Sequence, residues 1–165
     1  MESQSVLIKE PESLAVIRFQ DCDPFGHLNN ARYIDYFMNA RMDHLAEHYG
    51  LSLIQEGRNE SWVVSKSQIA FVSPARMAER VRIRTRLINF AECNLVVEGL
   101  MLSEDAQRLK AALWIEFTYV SLASGRPVKH TDDLVALFRD VVIQGAYHEG
   151  FDQRVTTLRS EFRRA

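Results

Sequence analysis

The sequence predicts an α+β fold: a five-stranded antiparallel curved sheet wrapped around one long central helix, with a helical extension at the C-terminus. Three features carry this. A helix-length segment ending at Gly50 is apolar over much of its girth. One β-rich run precedes it and four follow, the last three separated by turns of only a few residues. Turns that short force antiparallel neighbours, and a helix apolar on several sides needs a sheet to bury it.

Taken in order, residues 1–13 are polar, contain Pro11 and show no period, which predicts a loosely packed lead. Leu14–Phe19 (LAVIRF) is the first strand, stopped by Pro24 and Gly26. The helix should start near Asn30 or Ala31 with Asn29 or Asn30 as cap. Tyr33, Ile34, Phe37, Met38, Met42, Leu45 and Tyr49 keep helical spacing, and Gly50 suits the stop. After a looser connection (51–61) come strands at Trp62–Val72, Arg80–Phe90, Cys93–Leu102 and Arg108–Leu122. In the second of these, Val81, Ile83, Thr85 and Leu87 alternate strictly with Arg80, Arg82, Arg84 and Arg86. Thr131 with Asp132 and Asp133 opens a helix striped by Leu134, Leu137, Phe138 and Val141. A last helix carries Phe151, Val155, Leu158 and Phe162, with Arg159, Arg163 and Arg164 at its end.

Composition narrows the function classes. A chain of 165 residues is one domain's worth, long enough to bury a core. A net charge of -2 gives no electrostatic reason to expect nucleic acid as a partner. No apolar run has membrane-spanning length, and the N-terminus lacks the pattern of a secretory leader. Cys22 and Cys93 are too few for a disulfide framework and too isolated for a thiolate zinc site, so reduced thiols, a cytoplasmic location and no metal are expected.

The densest chemistry lies between Asp21 and Asn30. Asp21, Asp23, His27, Asn29 and Asn30 crowd the loop before the helix, where backbone N–H groups lack partners. Asp-Pro and Gly also suit a turn for purely local reasons, and for Asp21 that structural reading is preferred. Asn29 and Asn30 serve as caps whatever else they do. Cys22 has no evident base, and alternation points it away from Asp23. His44 and His48, one turn apart, are expected on the exposed side of the helix. The arginine stripe reads as a sheet surface balanced by Glu98 and Glu116 on neighbouring strands, in preference to a phosphate-attracting face.

The run D-C-D-P-F-G-H-L-N-N-A-R-Y (21–33) resembles the signature of hotdog-fold acyl-CoA thioesterases of the 4-hydroxybenzoyl-CoA thioesterase group. The element order over roughly 14–125, the strand end Phe71-Val72-Ser73-Pro74 and the closing turn Gly125-Arg126-Pro127 fit the same group. The resemblance implies a hotdog domain over 1–140 and an extension over 141–165 that packs on it or on an oligomer interface. It implies hydrolysis of an acyl-CoA, or an acyl-carrier-protein thioester, with no cofactor beyond the coenzyme A of the substrate. Asp23 corresponds to the catalytic acid and the Asn30 N–H to the oxyanion donor. The H-L-N-N run is similar to the H-V-N-N of plant acyl-carrier-protein thioesterases, which makes His27 an auxiliary group. Their assisting Asn is Phe25 here. Phe25 and Tyr33, with Ser65 and Ser67 on the strand where a partner subunit completes such sites, are candidate substrate contacts. A homodimer or homotetramer is expected. Whether Asp23 acts as base or nucleophile stays open, as do a non-catalytic acyl-CoA-binding protein and a hotdog hydratase or dehydratase; the last needs a His and acid spacing not found here.

Overall fold

The computed structural model describes residues 7–52 and 57–163. The expected lead over 1–6, the middle of the 51–61 connection and Arg164 lie outside those residues. The order is β1 (Glu12–Val16), α1 (Tyr33–Tyr49), β2 (Glu60–Phe71), β3 (Arg80–Phe90), β4 (Asn94–Ser103), β5 (Leu109–Ser121), α2 (Asp132–Val141) and α3 (Phe151–Glu161). The strands form one antiparallel sheet in the order β1-β3-β4-β5-β2, so the hairpin strands β3–β5 sit centrally and β2 forms an edge.

β3 keeps the strict alternation its sequence predicts. Val81, Ile83, Thr85 and Leu87 are buried beneath α1, and the arginines face outward. On the inner side Phe37 of α1 presses so closely on β4 that a Cβ at Gly99 would lie 2.6 Å from its ring. Only a glycine allows that approach. The main core gathers Phe37, Ala40, Val97, Met101, Leu113 and Phe117 with Leu134 and Phe138 of α2.

The outer face is not the solvent-facing surface expected. α3 covers it, packing Val155 and Leu158 on Leu100, Leu102, Leu109 and Ala112. Under its edge Glu98 is fully buried. Its oxygens accept from Arg86 Nε (2.8 Å), Arg154 Nε (2.9 Å) and the Trp114 indole (2.9 Å). The rest of the arginine stripe is balanced by acids other than those expected. Arg82 and Arg84 pair with Glu12 at 2.9 and 2.6 Å, Arg80 with Glu104 at 3.2 Å, and Arg86 also with Glu10. Glu116 instead faces the Asn94 amide.

The described part of the lead is therefore anchored. Glu10 and Glu12 carry ion pairs, and the Pro11 carbonyl accepts from Thr85 N. β1 ends at Val16, short of the expected Phe19, because the chain turns into a 3-10 turn at Phe19–Asp21. His44 is corrected too. It is buried, not exposed, with Nδ1 2.7 Å from the Thr85 hydroxyl and no hydrogen-bond partner for Nε2 among the described residues. Burial, with Arg41 and His48 nearby, pushes its pKa down to about 4.

Candidate active site

The loop before α1 is a miniature hairpin. Asn29 N donates to Asp21 O (2.9 Å), Cys22 bridges Leu28, and Asp23 N donates to His27 O (2.8 Å). At its tip, Gly26 takes a left-handed φ of 74° and its N–H closes the turn on Asp23 O. A second segment clamps the hairpin from the side: Leu28 N donates to Ala75 O (2.8 Å) and Met77 N to Gly26 O (2.9 Å). Tyr33 holds that segment to the helix, its hydroxyl accepting from Ala75 N at 3.2 Å.

Within this frame Asp23 plays two parts. Oδ1 accepts the N–H groups of Phe25 (2.9 Å) and His27 (3.0 Å), which fixes the side chain. Oδ2 takes no hydrogen bond among the described residues. One oxygen is anchored and the other stands unengaged among the described residues.

The helix entrance is arranged similarly. Asn29 is the cap, its side chain accepting from Ala31 N (3.0 Å) and its carbonyl from Arg32 N (2.8 Å). Asn30–Arg32 form a 3-10 turn and the α-helix proper begins at Tyr33, a few residues later than expected. The cap thus takes up the N–H groups of Ala31 and Arg32, and the Asn30 N–H has no hydrogen bond among the described residues. It is an open donor at the positive end of a helix. Asp23 and Asn30 lie on opposite arms of the hairpin.

His27 stands beside Asp23 with Nε2 3.4 Å from Arg76 Nη1, so Nε2 acts as acceptor. Arg76 is an addition from the structure; its position two residues past Ser73-Pro74 is the only trace it leaves in the sequence. Asp21 accepts the Tyr36 hydroxyl at 2.7 Å, the structural part expected of it. The Cys22 thiol donates to Arg18 O, and burial with the flanking Asp21 and Asp23 charges pushes its pKa up, which suits no nucleophile. Phe25 is 83% exposed at the hairpin tip, whereas Tyr33 is buried, edge-on to Phe71. Ser65 and Ser67 are elsewhere, on the exposed middle of β2, with Ser65 Oγ bonded to Glu116 O. Within one chain Asp23 and His27 share the hairpin, Asn30 follows it at the helix entrance, and the two serines lie apart on β2. Among the described residues no group of three or more His, Cys, Asp or Glu side chains is placed to hold a metal ion.

The comparisons agree with this architecture. The chain is 26% identical over 119 residues to the uncharacterized protein YsmA of Bacillus subtilis, covering 71% of this chain and 77% of that one. The solved structure of hypothetical protein TT1821 from Thermus thermophilus superposes with a TM-score of 0.72 at 24% identity, covering 81% of this chain and 98% of that one. Slr0204, a 1,4-dihydroxy-2-naphthoyl-CoA thioesterase from Synechocystis, superposes equally well at 0.72 but 13% identity, covering 80% and 97%. These structures show the hotdog fold. The family model of the thioesterase-like superfamily matches residues 17–138, and the chain belongs to that superfamily.

Proposed function

We propose that the chain hydrolyses an acyl-CoA to the free carboxylic acid and coenzyme A, with Asp23 as the reactive acid. The observation that carries this is the pairing of an anchored carboxylate, one oxygen free, with an open N–H at the helix entrance. A thioester carbonyl set between them would direct its oxygen at the Asn30 N–H as negative charge develops. Asp23 Oδ2 then removes a proton from the attacking water, or attacks the carbonyl itself to form an anhydride that water opens. In both routes the thiolate leaves and is protonated. His27, held between the Asp23 turn and Arg76, orients the water or the carboxylate. Phe25 and Tyr33 are proposed to flank the acyl group, and Ser65 and Ser67 to serve the site of a second copy. Homodimeric or homotetrameric assembly is supported by the long unpaired edge of β2, whose exposed middle needs a cover. Two free cysteines support a cytoplasmic setting.

The test is thiol release from acetyl-, medium-chain, long-chain and aryl-CoA by the wild type and Asp23→Asn. Asparagine keeps the turn's acceptor but removes the base, so the rate should fall about 10²–10⁴-fold. Full activity in Asp23→Asn rejects the assignment. Binding of acyl-CoA without any thiol release would make the chain a carrier rather than a hydrolase.

A further inference from the structure

Outside the hairpin, three arginines converge on one open cavity of about 390 Å³. Arg108 leads into β5, Arg159 lies in the last turn of α3, and Arg163 follows just past its C-cap Phe162. All three are exposed, and none forms an ion pair among the described residues. Of the neighbouring acids, Asp105 accepts from the Ser103 hydroxyl and Gln107 N and also interacts electrostatically with Arg108, and Glu161 faces Arg154 at 3.9 Å. The floor is apolar, formed by Leu109 and Phe162.

Arginine at a helix C-terminus gains from the helix dipole, but only a few tenths to one kcal/mol per charge. That accounts for Arg159 and Arg163 singly. It does not account for Arg108 reaching the same cavity from another element. Three exposed like charges around one hollow repel weakly through water, and an anion seated among them would offset that repulsion. Guanidinium groups match phosphate oxygens in pairs, and a flat apolar ring suits the floor.

The location relates the cavity to the hairpin. Its wall includes Val72 and Ser73, whose N–H groups both donate to Lys110 O. Two residues on, Ala75 O receives Leu28 N, and Asn30 lies two residues beyond Leu28. β2 is an edge strand ending at Phe71, directly before Val72 and Ser73 of the cavity wall.

We infer that the cavity formed by Arg108, Arg159 and Arg163 binds the phosphorylated adenosine end of coenzyme A. The inference rests on the thioesterase reading and extends it to α3, which lies beyond the residues matched by the family model.

The experiment has a binding arm and a kinetic arm. Adenosine 3′,5′-bisphosphate and coenzyme A are titrated calorimetrically into the wild type, Arg108→Ala and the double variant Arg159→Ala/Arg163→Ala, with thermal melts confirming the fold. The double variant should weaken both ligands about tenfold, with a loss that shrinks as salt rises. Its KM for acyl-CoA should rise about tenfold relative to its KM for the same acyl-pantetheine, which lacks the nucleotide. Equal affinities across variants, or no bisphosphate binding by the wild type, overturn the site. A KM rise confined to an acidic acyl carrier protein would assign the cavity to a protein partner and overturn it too. If no thioester is cleaved, the thioesterase reading fails, and the bisphosphate titration alone decides the site.

Discussion

Two carboxylates in this molecule are held in opposite ways. Asp23 is half-buried, bonds only backbone N–H groups of its own turn, and keeps one oxygen unengaged among the described residues. Glu98 is fully buried and spends both oxygens on two guanidinium groups and an indole from three separate elements. Burial alone would raise the Glu98 carboxyl, but Arg154, Arg86 and the Trp114 N–H outweigh it and hold it below the usual range. A saturated acid stabilises and has nothing left to react with. An acid fixed by one oxygen can do chemistry with the other.

The contrast is broken most directly at Glu98. Glu98→Gln leaves Arg86 and Arg154 without their shared anion, a loss of about 3–5 kcal/mol by the usual cost of opening a buried pair. Urea denaturation should show that loss, with thiol release retained at temperatures where the variant is folded. Asp23→Asn should behave oppositely, losing rate with a melting temperature close to wild type.

The next test uses His44. Its imidazole titrates at about 4 in the folded chain, against an ordinary 6.5. Between those pH values the unfolded chain binds more protons, so stability falls as pH drops from 6.5 to 4 and this contribution is flat below. The full span is worth about 3 kcal/mol. His44→Gln should flatten that limb of the stability profile. Glu98 adds a separate decline below its ordinary 4.5, since an acid held low loses its contribution as it protonates; Glu98→Gln should remove that part alone.

Gly99→Ala sharpens the comparison from the core side. Its Cβ would meet Phe37 at 2.6 Å, and the overpacking should cost about 1–3 kcal/mol in a thermal or urea melt. The smallest expected effect is at His27. His27→Ala should lower kcat by less than about tenfold, because its backbone N–H still fixes Asp23 Oδ1; a drop as large as that of Asp23→Asn would promote the imidazole to the proton-transfer step.

What could be read from the sequence divides along the same line. β3 was legible because its alternation encodes one buried face, and the cap Asn29 because it accepts from a neighbouring N–H, whereas the 3-10 turn that delays the α-helix to Tyr33 left no pattern. The Asp23 turn is likewise local, all its partners lying within four residues. For Glu98 the pairing with Arg86 of the neighbouring strand was legible, but its burial was not, since its other partner Arg154 is 56 residues away and lies on a helix whose docking face no periodicity reveals. His44 fails for a related reason. On a helix apolar around much of its girth no polar stripe marks the outside, and its partner Thr85 is 41 residues distant.

The tail of the chain has a practical consequence for anyone shortening it. Similarity to the superfamily stops at residue 138, which invites a cut there. Such a cut would remove Arg154 and leave Glu98 to Arg86 and Trp114, while stripping Val155 and Leu158 from Leu100, Leu102 and Leu109. A chain cut there would expose the apolar face that α3 covers, so it should express as aggregate where one extended beyond residue 163 does not.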